Sequence, residues 1–430
     1  IQDAIYEVTS GDTILVLPGV YDGTHDQNLR FSYGDSIAKN IVLKSRDGAA
    51  TTILDGGGNR VFEIVDGTDT TLQIIGFTIT ASDGGKHDGN GSVIKIGYID
   101  EENWTTHYSG AIFKNCLIKD VDGEDAAVQV ISEITVFVDC ELSDNTADYT
   151  ESGDGLGGAV RVGNEWSEGG STVHFYRSRL LNNTITTSQS DQWLAGGALA
   201  VGKSNQNSVK LVNTIVAGNN VVVVEDGSFN QSPPSGGGIV FRGGELMIIN
   251  STIADNGISS NANYTDPNYQ TPGGSAISAE DYDYYDGDSP QLTIFNSIVY
   301  DNFITTSAAT NPNTSFTGQI SIDDMNNGVD VSASYSLIGG DDDLGGDEIL
   351  LNLNPEFADS TYVLHERSPA IGAGETESED TEGDEIYAPT VDILGNDRPG
   401  SGGGNPDLGA YEHELAVTPY PAIVEDLAAT

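Results

Sequence analysis

The sequence predicts an all-β solenoid in which short parallel strands stack coil upon coil. One observation behind this prediction is a phrase that recurs three times, as Asn213-Thr-Ile-Val-Ala-Gly-Asn219, Asn250-Ser-Thr-Ile-Ala-Asp-Asn256 and Asn296-Ser-Ile-Val-Tyr-Asp-Asn302. A unit that recurs every few tens of residues cannot bury its apolar side alone and must stack on its neighbours. A second observation is the 53 glycines and 14 prolines in 430 residues, which favour tight corners over disorder.

Aligned copies of the phrase share two columns. Looser copies begin at Gly76, Asn115, Asp139, Arg177 and Tyr335. The column three residues after each of the eight starts is aliphatic, and its members are Ile79, Ile118, Leu142, Leu180, Val216, Ile253, Val299 and Ile338. The column one residue after each start is mostly small, and it consists of Phe77, Cys116, Cys140, Ser178, Thr214, Ser251, Ser297 and Ser336. Side chains two apart on a strand share a face, so we expect both columns to point inward.

The asparagines of the phrase have an expected role at the corners. Asn213, Asn250 and Asn296 open the three close copies, and Asn219, Asn256 and Asn302 close them. Stacked side-chain amides can donate to the copy above, and asparagine tolerates turn conformations. We expect amide ladders along the solenoid, with carbohydrate contact as the alternative role.

A further column of strands runs beside the first. Seven five-residue segments superimpose without gaps, and their third residues are Phe62, Ile94, Val128, Val160, Leu199, Val240 and Ile277. Successive copies lie 32, 34, 32, 39, 41 and 37 residues apart, so insertions of variable length separate the strands. This pattern describes parallel coils about 4.8 Å apart. A sandwich or propeller also has short strands, but a propeller would repeat four strands with an aromatic signature, which the sequence lacks.

Charge and composition exclude several classes of partner. The formal net charge is −49, which repels nucleic acid and anionic lipid headgroups and attracts divalent cations. We therefore expect no nucleic-acid partner. The sequence has no run of about 18 apolar residues, so we expect no transmembrane segment. No positively charged region follows Ile1, and we expect the chain to be a mature fragment.

The two cysteines leave their redox state open. Cys116 and Cys140 occupy the same column on consecutive copies. Stacked coils would bring their Cα atoms within disulfide range. Packing as two free thiols is the alternative, because free cysteine behaves as a small apolar residue.

The amino-terminal segment extends the prediction to a known family. Ile1-Gln-Asp-Ala-Ile5 predicts a short amphipathic helix, and the strand after it ends in a Pro18-Gly19 turn. A helix there would cap the open end of a solenoid. With Thr52-Ile-Leu-Asp-Gly-Gly-Gly58 and the columns above, residues 1 to 350 resemble the right-handed parallel β-helix proteins of the pectate-lyase-like superfamily. The resemblance implies that fold, and the superfamily spans lyases, hydrolases, epimerases, phage spikes and adhesins.

The carboxyl-terminal part carries a second resemblance. Its motifs are Asn354-Pro-Glu-Phe357, Ser368-Pro-Ala-Ile-Gly-Ala-Gly374, Asp392-Ile-Leu-Gly-Asn-Asp-Arg-Pro399 and Asp407-Leu-Gly-Ala-Tyr-Glu412. In this order they resemble the terminal module of bacterial β-helix proteins called "choice-of-anchor Q". The resemblance implies an irregular module over residues 351–415 that ends the solenoid, with 416–430 as a tail or linker. It also implies export from a bacterial cell, to the medium or the cell surface.

One outer face of the predicted solenoid suits an acidic glycan. The residue between the two inward positions of each later strand should face solvent, and the row it forms is Glu63, Lys95, Gln129, Arg161, Ala200, Phe241 and Ser278. Lys95 and Arg161 would stand two coils apart, about 10 Å. We expect Glu63, Lys95, Gln129, Arg161 and Phe241 to contact a polysaccharide. Spaced cations and an aromatic ring are what a groove for an acidic sugar chain needs.

The superfamily resemblance adds a catalytic alternative. Its lyases cleave uronates by removing the C5 proton with a lysine, arginine or similar base, while Ca²⁺ or a cationic side chain neutralises the carboxylate. Lys95 and Arg161 are the candidate catalytic residues by that resemblance. The sequence lacks the Arg-x-Pro-x-x-Arg of pectate lyases, the Gly-His-Gly of polygalacturonases and the Asp-Pro-His of alginate epimerases. These departures favour binding over turnover.

An acidic loop is the candidate metal site. Glu280-Asp-Tyr-Asp-Tyr-Tyr-Asp-Gly-Asp288 presents Asp281, Asp283, Asp286 and Asp288 at alternate and near-alternate positions. Ca²⁺ takes six to eight oxygen ligands and favours such carboxylates. We expect calcium there, with a solvated acidic loop as the alternative.

Two functions follow from these observations. The first is a non-catalytic extracellular protein with an adhesive, structural or glycan-binding role. The second is a polysaccharide lyase that acts on acidic glycans by β-elimination, with its groove on the face from Glu63 to Phe241. In either case we expect an extracellular polysaccharide or surface component as the partner.

Overall fold

A computed structural model of the chain describes most of residues 1–415. The exceptions are 33–37, 66, 82–91, 101, 103–104, 150–154, 164–168, 188–193, 225–227, 230–233, 261–262, 265–272, 282–288, 307–317, 324–327, 341–343, 345 and 347. The predicted tail 416–430 lies outside the described residues. In the described part, no helix has the length and apolarity that a bilayer crossing requires.

The described chain starts with a short helix, α1 (Gln2–Glu7), and continues almost entirely as strands. The first are β1 (Thr13–Val16), β2 (Gly19–Tyr21), β3 (Val42–Ser45), β4 (Thr52–Asp55), β5 (Phe62–Ile64), β6 (Gln73–Ile75), β7 (Thr78–Ala81), β8 (Ile94–Ile96), β9 (Tyr98–Asp100), β10 (Thr105–His107), β11 (Ala111–Lys114), β12 (Leu117–Gly123), β13 (Val128–Val130) and β14 (Thr135–Val138). The middle strands are β15 (Glu141–Ser143), β16 (Thr146–Tyr149), β17 (Gly155–Leu156), β18 (Val160–Val162), β19 (Thr172–Tyr176), β20 (Arg179–Leu181), β21 (Thr184–Thr187), β22 (Leu194–Ala195), β23 (Leu199–Val201), β24 (Ser208–Val212), β25 (Ile215–Ala217), β26 (Asn220–Val223), β27 (Ser228–Phe229) and β28 (Ile239–Phe241). The last are β29 (Glu245–Ile249), β30 (Thr252–Ala254), β31 (Gly257–Ser260), β32 (Asn263–Tyr264), β33 (Ile277–Glu280), β34 (Gln291–Phe295), β35 (Ile298–Tyr300), β36 (Phe303–Thr306), β37 (Ile320–Asp323), β38 (Asp330–Ser334), β39 (Leu337–Ile338), β40 (Leu350–Leu351), β41 (Glu377–Glu379) and β42 (Glu385–Tyr387).

The strands stack into long parallel sheets that form a parallel β-helix. The ten-stranded sheet has the order β1-β3-β6-β11-β14-β19-β24-β29-β34-β38, and the eight-stranded sheet has the order β37-β33-β28-β23-β18-β13-β8-β5. The sixteen-stranded sheet bends at the long strand β12, which pairs with both β15 and β16. The middle coils, from β11 to β37, therefore pass through the ten-stranded sheet, both arms of the sixteen-stranded sheet and then the eight-stranded sheet. The predicted all-β solenoid is confirmed.

The first predicted column is confirmed in register. In the sixteen-stranded sheet, Ile118 pairs with Ile79 and Leu142, and the file continues through Leu180, Val216, Ile253, Val299 and Ile338. All eight side chains are fully buried in the main core. Stacking places equivalent residues of successive coils against each other, which is why one residue type recurs.

The corners of the coils explain why asparagine and aspartate open the phrase. The residue between the ten-stranded and sixteen-stranded sheets adopts a positive φ of about 44° to 53° in successive coils, at Asn115, Asp139, Arg177, Asn213, Asn250, Asn296 and Tyr335. Asparagine and aspartate are the side chains that most readily adopt this left-handed conformation. The backbone conformation of the corner therefore explains why the phrase starts with asparagine or aspartate.

Two hydrogen-bonded ladders run along the coils. The side-chain amide of Asn256 donates to Asn302 at 2.8 Å, and the same bond links Asn145, Asn183, Asn219 and Asn256 in order. The predicted amide ladder is confirmed for the closing asparagines and extends to Gln319. The small column forms the second ladder, in which the backbone N–H groups of Thr214, Ser251 and Ser297 donate to the next hydroxyl.

The opening asparagines do not form a ladder of their own. Asn296 donates to Asn250 at 3.3 Å, but Asn213 and Asn250 donate to the carbonyls of Val391 and Asp407. Their side chains therefore hold the carboxyl-terminal residues against the solenoid.

The amino-terminal helix packs as an amphipathic helix should. Ile5 of α1 is fully buried in the main core, and Ile1 packs against it.

Further along the core, Cys116 and Cys140 are buried and free, so the free-thiol alternative is the one present.

The carboxyl-terminal module lies along the side of the solenoid. Ile393, Ala410 and Tyr411 pack on Ile215 and Ala217 of β25. Further apolar contacts join the module residues Leu364, Ala370, Ile371 and Leu408 to Ile298 and Leu337. The prediction that this module ends the solenoid stays a prediction; the structure adds that outward apolar side chains of β25, β35 and β39 give these residues a lateral docking surface.

Residues of three carboxyl-terminal motifs form one buried ionic cluster. Arg398 donates to the Asp407 carbonyl at 2.7 Å and lies 3.3 Å from the Glu412 carboxylate. The Asp407 carboxylate accepts the N–H groups of Gly372 and His413, both at 2.6 Å. Three of the four motifs thus supply parts of a hydrogen-bonded core that replaces regular secondary structure.

Candidate functional site

The candidate site is a row of outward side chains on the eight-stranded sheet. Strand pairing places Glu63, Lys95, Gln129 and Arg161 directly side by side on successive coils, as predicted. The row continues through Ala200, Val240, Ser278 and Ser321. We call the four residues from Glu63 to Arg161 the outer row.

The prediction for Phe241 is wrong. Phe241 pairs with Val201 and is fully buried in the main core, so the outward residue of β28 is Val240. The gapless alignment placed Gly238 opposite Gly197 and therefore Val240 opposite Leu199. The structure instead places Ile239 opposite Leu199. The run from Gly236 to Gly238 absorbs the one-residue difference, since glycine accepts most backbone conformations. A shift by one residue exchanges the two faces of a strand.

Ion pairs organise the amino-terminal end of the outer row. The guanidinium of Arg30 donates to one oxygen of Glu63 at 2.9 and 2.6 Å. Arg60 lies 4.0 Å from the other oxygen of Glu63. Burial lowers the pKa of Arg60, and the carboxylates of Glu63 and Asp125 oppose that effect. Glu63 is therefore engaged by arginines of this end of the sheet, so the predicted glycan contact at Glu63 would have to compete with them.

Asp125 and Tyr149 hold the other end of the outer row. Arg161 lies 3.9 Å from the Asp125 carboxylate, and the Tyr149 hydroxyl donates to that carboxylate at 2.7 Å. Burial, followed by the charge of Asp125, raises the pKa of Tyr149 well above its ordinary value. Tyr149 is thus a neutral donor at all physiological pH values, and it orients Asp125 toward Arg161.

An aromatic pair stands beside Lys95. The antiparallel hairpin β9–β10 follows β8 directly and pairs Tyr98 with His107. The two rings stack with centroids 4.4 Å apart and planes 3° apart. The ammonium of Lys95 lies 5.9 Å from the centre of the Tyr98 ring, where the ring face attracts a cation. Tyr98, rather than Phe241, is the aromatic side chain of this face.

The arrangement concentrates positive charge within an acidic protein. Arg30, Arg60, Lys95 and Arg161 lie here, and Glu63 and Asp125 are among the carboxylates that pair with the arginines. The chain as a whole has 17 basic and 66 acidic residues. Guanidinium and ammonium groups spaced along one face can bind the carboxylates of an extended acidic polymer.

The predicted calcium loop is only partly described. Asp281 is buried at 2% exposure, and Asp283, Asp286 and Asp288 lie outside the described residues. Next to Asp281, Glu280 accepts from Ser235 and Ser278 and pairs with the buried Arg242 at 3.2 Å. Among the residues that the structure describes, no three metal-binding side chains gather as an ion would require.

Sequence reasoning missed three partners of the outer row. Arg30, Asp125 and Tyr98 are outside the five-residue segments that revealed the outer row. Tyr98 had a usable signal, because Tyr98-Ile-Asp100 and Thr105-Thr-His107 are two short β-prone runs directly after a strand. Asp125 and Arg30 had no such sequence signal, since their ion pairs depend on which coils are neighbours in the fold.

A separate polar cavity lies at another corner of the solenoid. Its volume is about 570 Å³, and it is lined by Asn205, Gln206, Asn207, Ser208, Gly244, Glu245, Ser289, Gln291, Asp330 and Glu382. It shares no residue with the outer row. Glu382 belongs to the carboxyl-terminal module and accepts from Gln291 at 3.1 Å, so the module helps to build this cavity.

Comparison with known proteins yields structural likenesses only. No family model and no curated protein matches the chain. A solved complex of a PL6 alginate lyase with a trisaccharide is similar at 12% identity and a TM-score of 0.35, over 97% of this chain and 90% of that one. A solved complex of the alginate lyase AlyF-OU02 is similar at 12% identity and a TM-score of 0.33, over 97% and 91% of the two chains. At these values the likenesses carry no argument about function, and the parallel β-helix is established by the sheets themselves.

Proposed function

We propose that this protein binds an acidic polysaccharide along the outer row, and that it does so outside the cell, secreted or displayed on a bacterial surface. The observation that carries the proposal is the placement of Lys95 and Arg161 on either side of Gln129 in register. Two cations separated by about 10 Å along the stacking direction can pair with carboxylates on alternate sugars, and the amide between them can bond a hydroxyl. The resemblance of residues 351–415 to a module of bacterial surface proteins supports the location.

The large negative charge sets the conditions for binding. A net charge of −49 repels a polyuronate at long range. At about 0.1 M salt the Debye length falls to roughly 10 Å, so distant charges are screened while contacts at the outer row remain. We therefore expect binding to be strongest at an intermediate ionic strength rather than at the lowest.

Direct titration with alginate, pectate and chondroitin sulfate tests this proposal. Lys95→Ala and Arg161→Ala should each weaken binding about 10-fold to 100-fold, because a hydrogen bond to a charged group contributes about 1.5–3 kcal/mol. Lys44→Ala is the matched control, since it removes an exposed lysine from β3 of the ten-stranded sheet. Equal affinities for wild type and all three variants would contradict the proposal, as would failure of the wild type to bind any of the three polymers.

A second candidate function is β-elimination on the same face. The observation that favours it is that Tyr98 contacts both His107 and Lys95, so that an imidazole, a phenol and an ammonium lie on one face. Imidazole is the side chain that most often serves as a general base, and a cation on the same face would stabilise the uronate carboxylate during proton removal. Against this function, the face of Tyr98 stabilises the charged form of Lys95, which makes Lys95 a poor base.

Turnover is tested by the ultraviolet absorbance of the unsaturated product. If the face is a lyase site, wild type should produce this absorbance, and His107→Ala and Lys95→Ala should abolish it in folded protein. Lys44→Ala should leave the rate unchanged. If the polymer stays intact at saturating protein, the face is not a lyase site, and binding without turnover is the function.

We also propose that Ca²⁺ binds the acidic segment from Asp281 to Asp288. The proposal is supported by four aspartates within eight residues and by the overall negative charge. Calcium there would neutralise carboxylates directly after β33 of the eight-stranded sheet.

A further inference from the structure

We infer that the outer row receives the end of a polysaccharide chain rather than its interior. The inference rests on the proposed function and deepens it, since it identifies the part of the polymer that binds. It is argued from how exposure changes along the row, from what covers the far part of the row, and from the length that remains accessible.

Exposure along the row changes abruptly after Arg161. Glu63, Lys95, Gln129 and Arg161 are all half-buried, with part of each side chain in contact with solvent. The next three outward residues, Ala200, Val240 and Ser278, are exposed by only 1%, 0% and 2%. They belong to the same sheet and point to the same side, so something lies over them.

The cover is a small second layer, which we call the lip. It begins with Gly155–Leu156 of β17, which pairs with Leu194–Ala195 of β22, and single bridges extend it to Ser235 and Gly273. Leu156 and Ala195 pack on the outward side chains of Ala200 and Val240 in one apolar cluster.

The lip is in close contact with the sheet beneath it. A Cβ added to Gly196, which follows β22, would lie 3.1 Å from the Val240 side chain. Space between the two layers is thus too small for a side chain, and far too small for a sugar. A polysaccharide that follows the outer row toward its carboxyl-terminal end therefore meets the lip and cannot continue along the sheet past Arg161.

The accessible length fits a short stretch of sugar. Three coil steps separate Glu63 from Arg161, which is about 14 Å. One sugar ring with its linkage spans roughly one coil spacing, so about three or four residues can lie on the row. Arg161 stands at the closed end, where its guanidinium would meet the carboxylate of the terminal sugar.

Binding capacity against chain length tests this inference. One acidic polysaccharide that the protein binds is partially hydrolysed to several mean lengths, and the protein bound at saturation is measured per gram of polymer. End binding predicts that capacity doubles each time the mean length is halved, because the number of ends doubles. Defined oligouronides should gain affinity up to three or four sugars and no further.

Each outcome separates the inference from the proposed function. A capacity per gram that is independent of chain length, or an affinity that keeps rising beyond six sugars, would mean interior binding, and the inference would be overturned while the proposed function stands. Failure to bind any acidic polymer at any length would overturn both. Arg161→Ala should lower affinity for the oligouronides by at least 10-fold, whereas Lys44→Ala should not. If the two variants lose affinity equally, Arg161 does not bind the terminal sugar.

Discussion

The amide ladder makes the sharpest prediction, because one side chain serves two neighbouring coils. The side-chain oxygen Oδ1 of Asn256 accepts hydrogen bonds from the backbone N–H and the side-chain amide of Asn219, at 3.1 and 2.8 Å. Its own amide donates to Val216 O at 2.9 Å and to Asn302 at 2.8 Å. Asn256 is fully buried, so water cannot replace these four bonds after substitution. We therefore choose Asn256→Ala as the perturbation.

The magnitude follows from the groups that lose a partner. Asn256→Ala leaves the backbone N–H of Asn219 without its acceptor, removes one acceptor from the Asn219 side chain and removes one donor from Val216 O. A buried polar group left unsatisfied costs about 1–3 kcal/mol, and partial relaxation lowers the sum. We expect the free energy of unfolding to fall by about 2–5 kcal/mol. Adding Asn219→Ala should cost less than the separate losses combined, because it removes one of the orphaned groups.

Urea unfolding followed by circular dichroism measures these losses. Asn59→Ala is the matched control, since Asn59 is an exposed asparagine whose amide bonds Gln27 at the surface, and it should cost less than about 0.5 kcal/mol. The reasoning is refuted if Asn256→Ala unfolds with the same midpoint and slope as Asn59→Ala. Strict additivity of Asn219→Ala and Asn256→Ala would also refute it, because the ladder would then not couple the coils.

Three further predictions concern the core, the carboxyl-terminal module and calcium. Ile253 is fully buried in the main core, so Ile253→Ala should cost about 2–5 kcal/mol in the same urea assay, and a loss under about 0.5 kcal/mol would mean that the site is not packed. Burial raises the pKa of Asp407 from 3.8 to about 7, so the stability this carboxyl contributes is complete below pH 3.8 and is lost as pH rises to 7; the unfolding midpoint should fall more between about pH 4 and 7 in wild type than in Asp407→Asn, and parallel pH profiles would contradict this. If calcium binds only the folded protein, the melting temperature should rise with its concentration, by about 2.7 kcal/mol of stability at a hundredfold excess over Kd; identical melting in chelator and in millimolar calcium would exclude the site from Asp281 to Asp288.

Residues that repeat in every coil could be predicted because stacking imposes the same environment on each copy. Ile118, Leu142 and Leu180 are each other's neighbours in the sheet, so each must be inward and aliphatic for the same reason. The corner asparagines were visible for a related reason, since the left-handed conformation recurs at the same corner of each coil. The fold could therefore be predicted from these positions without any knowledge of the protein's function.

Phe241 shows where a repeat alignment stops being sufficient. Three glycines precede β28, and they allow the strand to shift by one residue without steric penalty. Both Val240 and Phe241 are apolar, so the local pattern supports either face. Only the pairing of Phe241 with Val201 decides that the ring is in the core.

The placement of the carboxyl-terminal module had a signal that is clear only in retrospect. The outward residues of one sixteen-stranded arm change from Glu141 and Arg179 to Ile215 along successive coils. Apolar side chains on an outer face require a cover, and Ile393 and Tyr411 supply it. The four carboxyl-terminal motifs predicted a module but not the face on which it would lie.

The sequence by itself determined the parallel coils, the buried columns, the amide ladder and the order of Glu63, Lys95, Gln129 and Arg161, because all of these repeat with the coil. Tertiary structure alone decided two features that surround that row: the ion pair of Arg30 with Glu63 and the lip beyond Arg161. These groups come from insertions and neighbouring coils whose lengths vary. Their positions depend on contacts between residues about 30 to 40 apart, which no local pattern encodes.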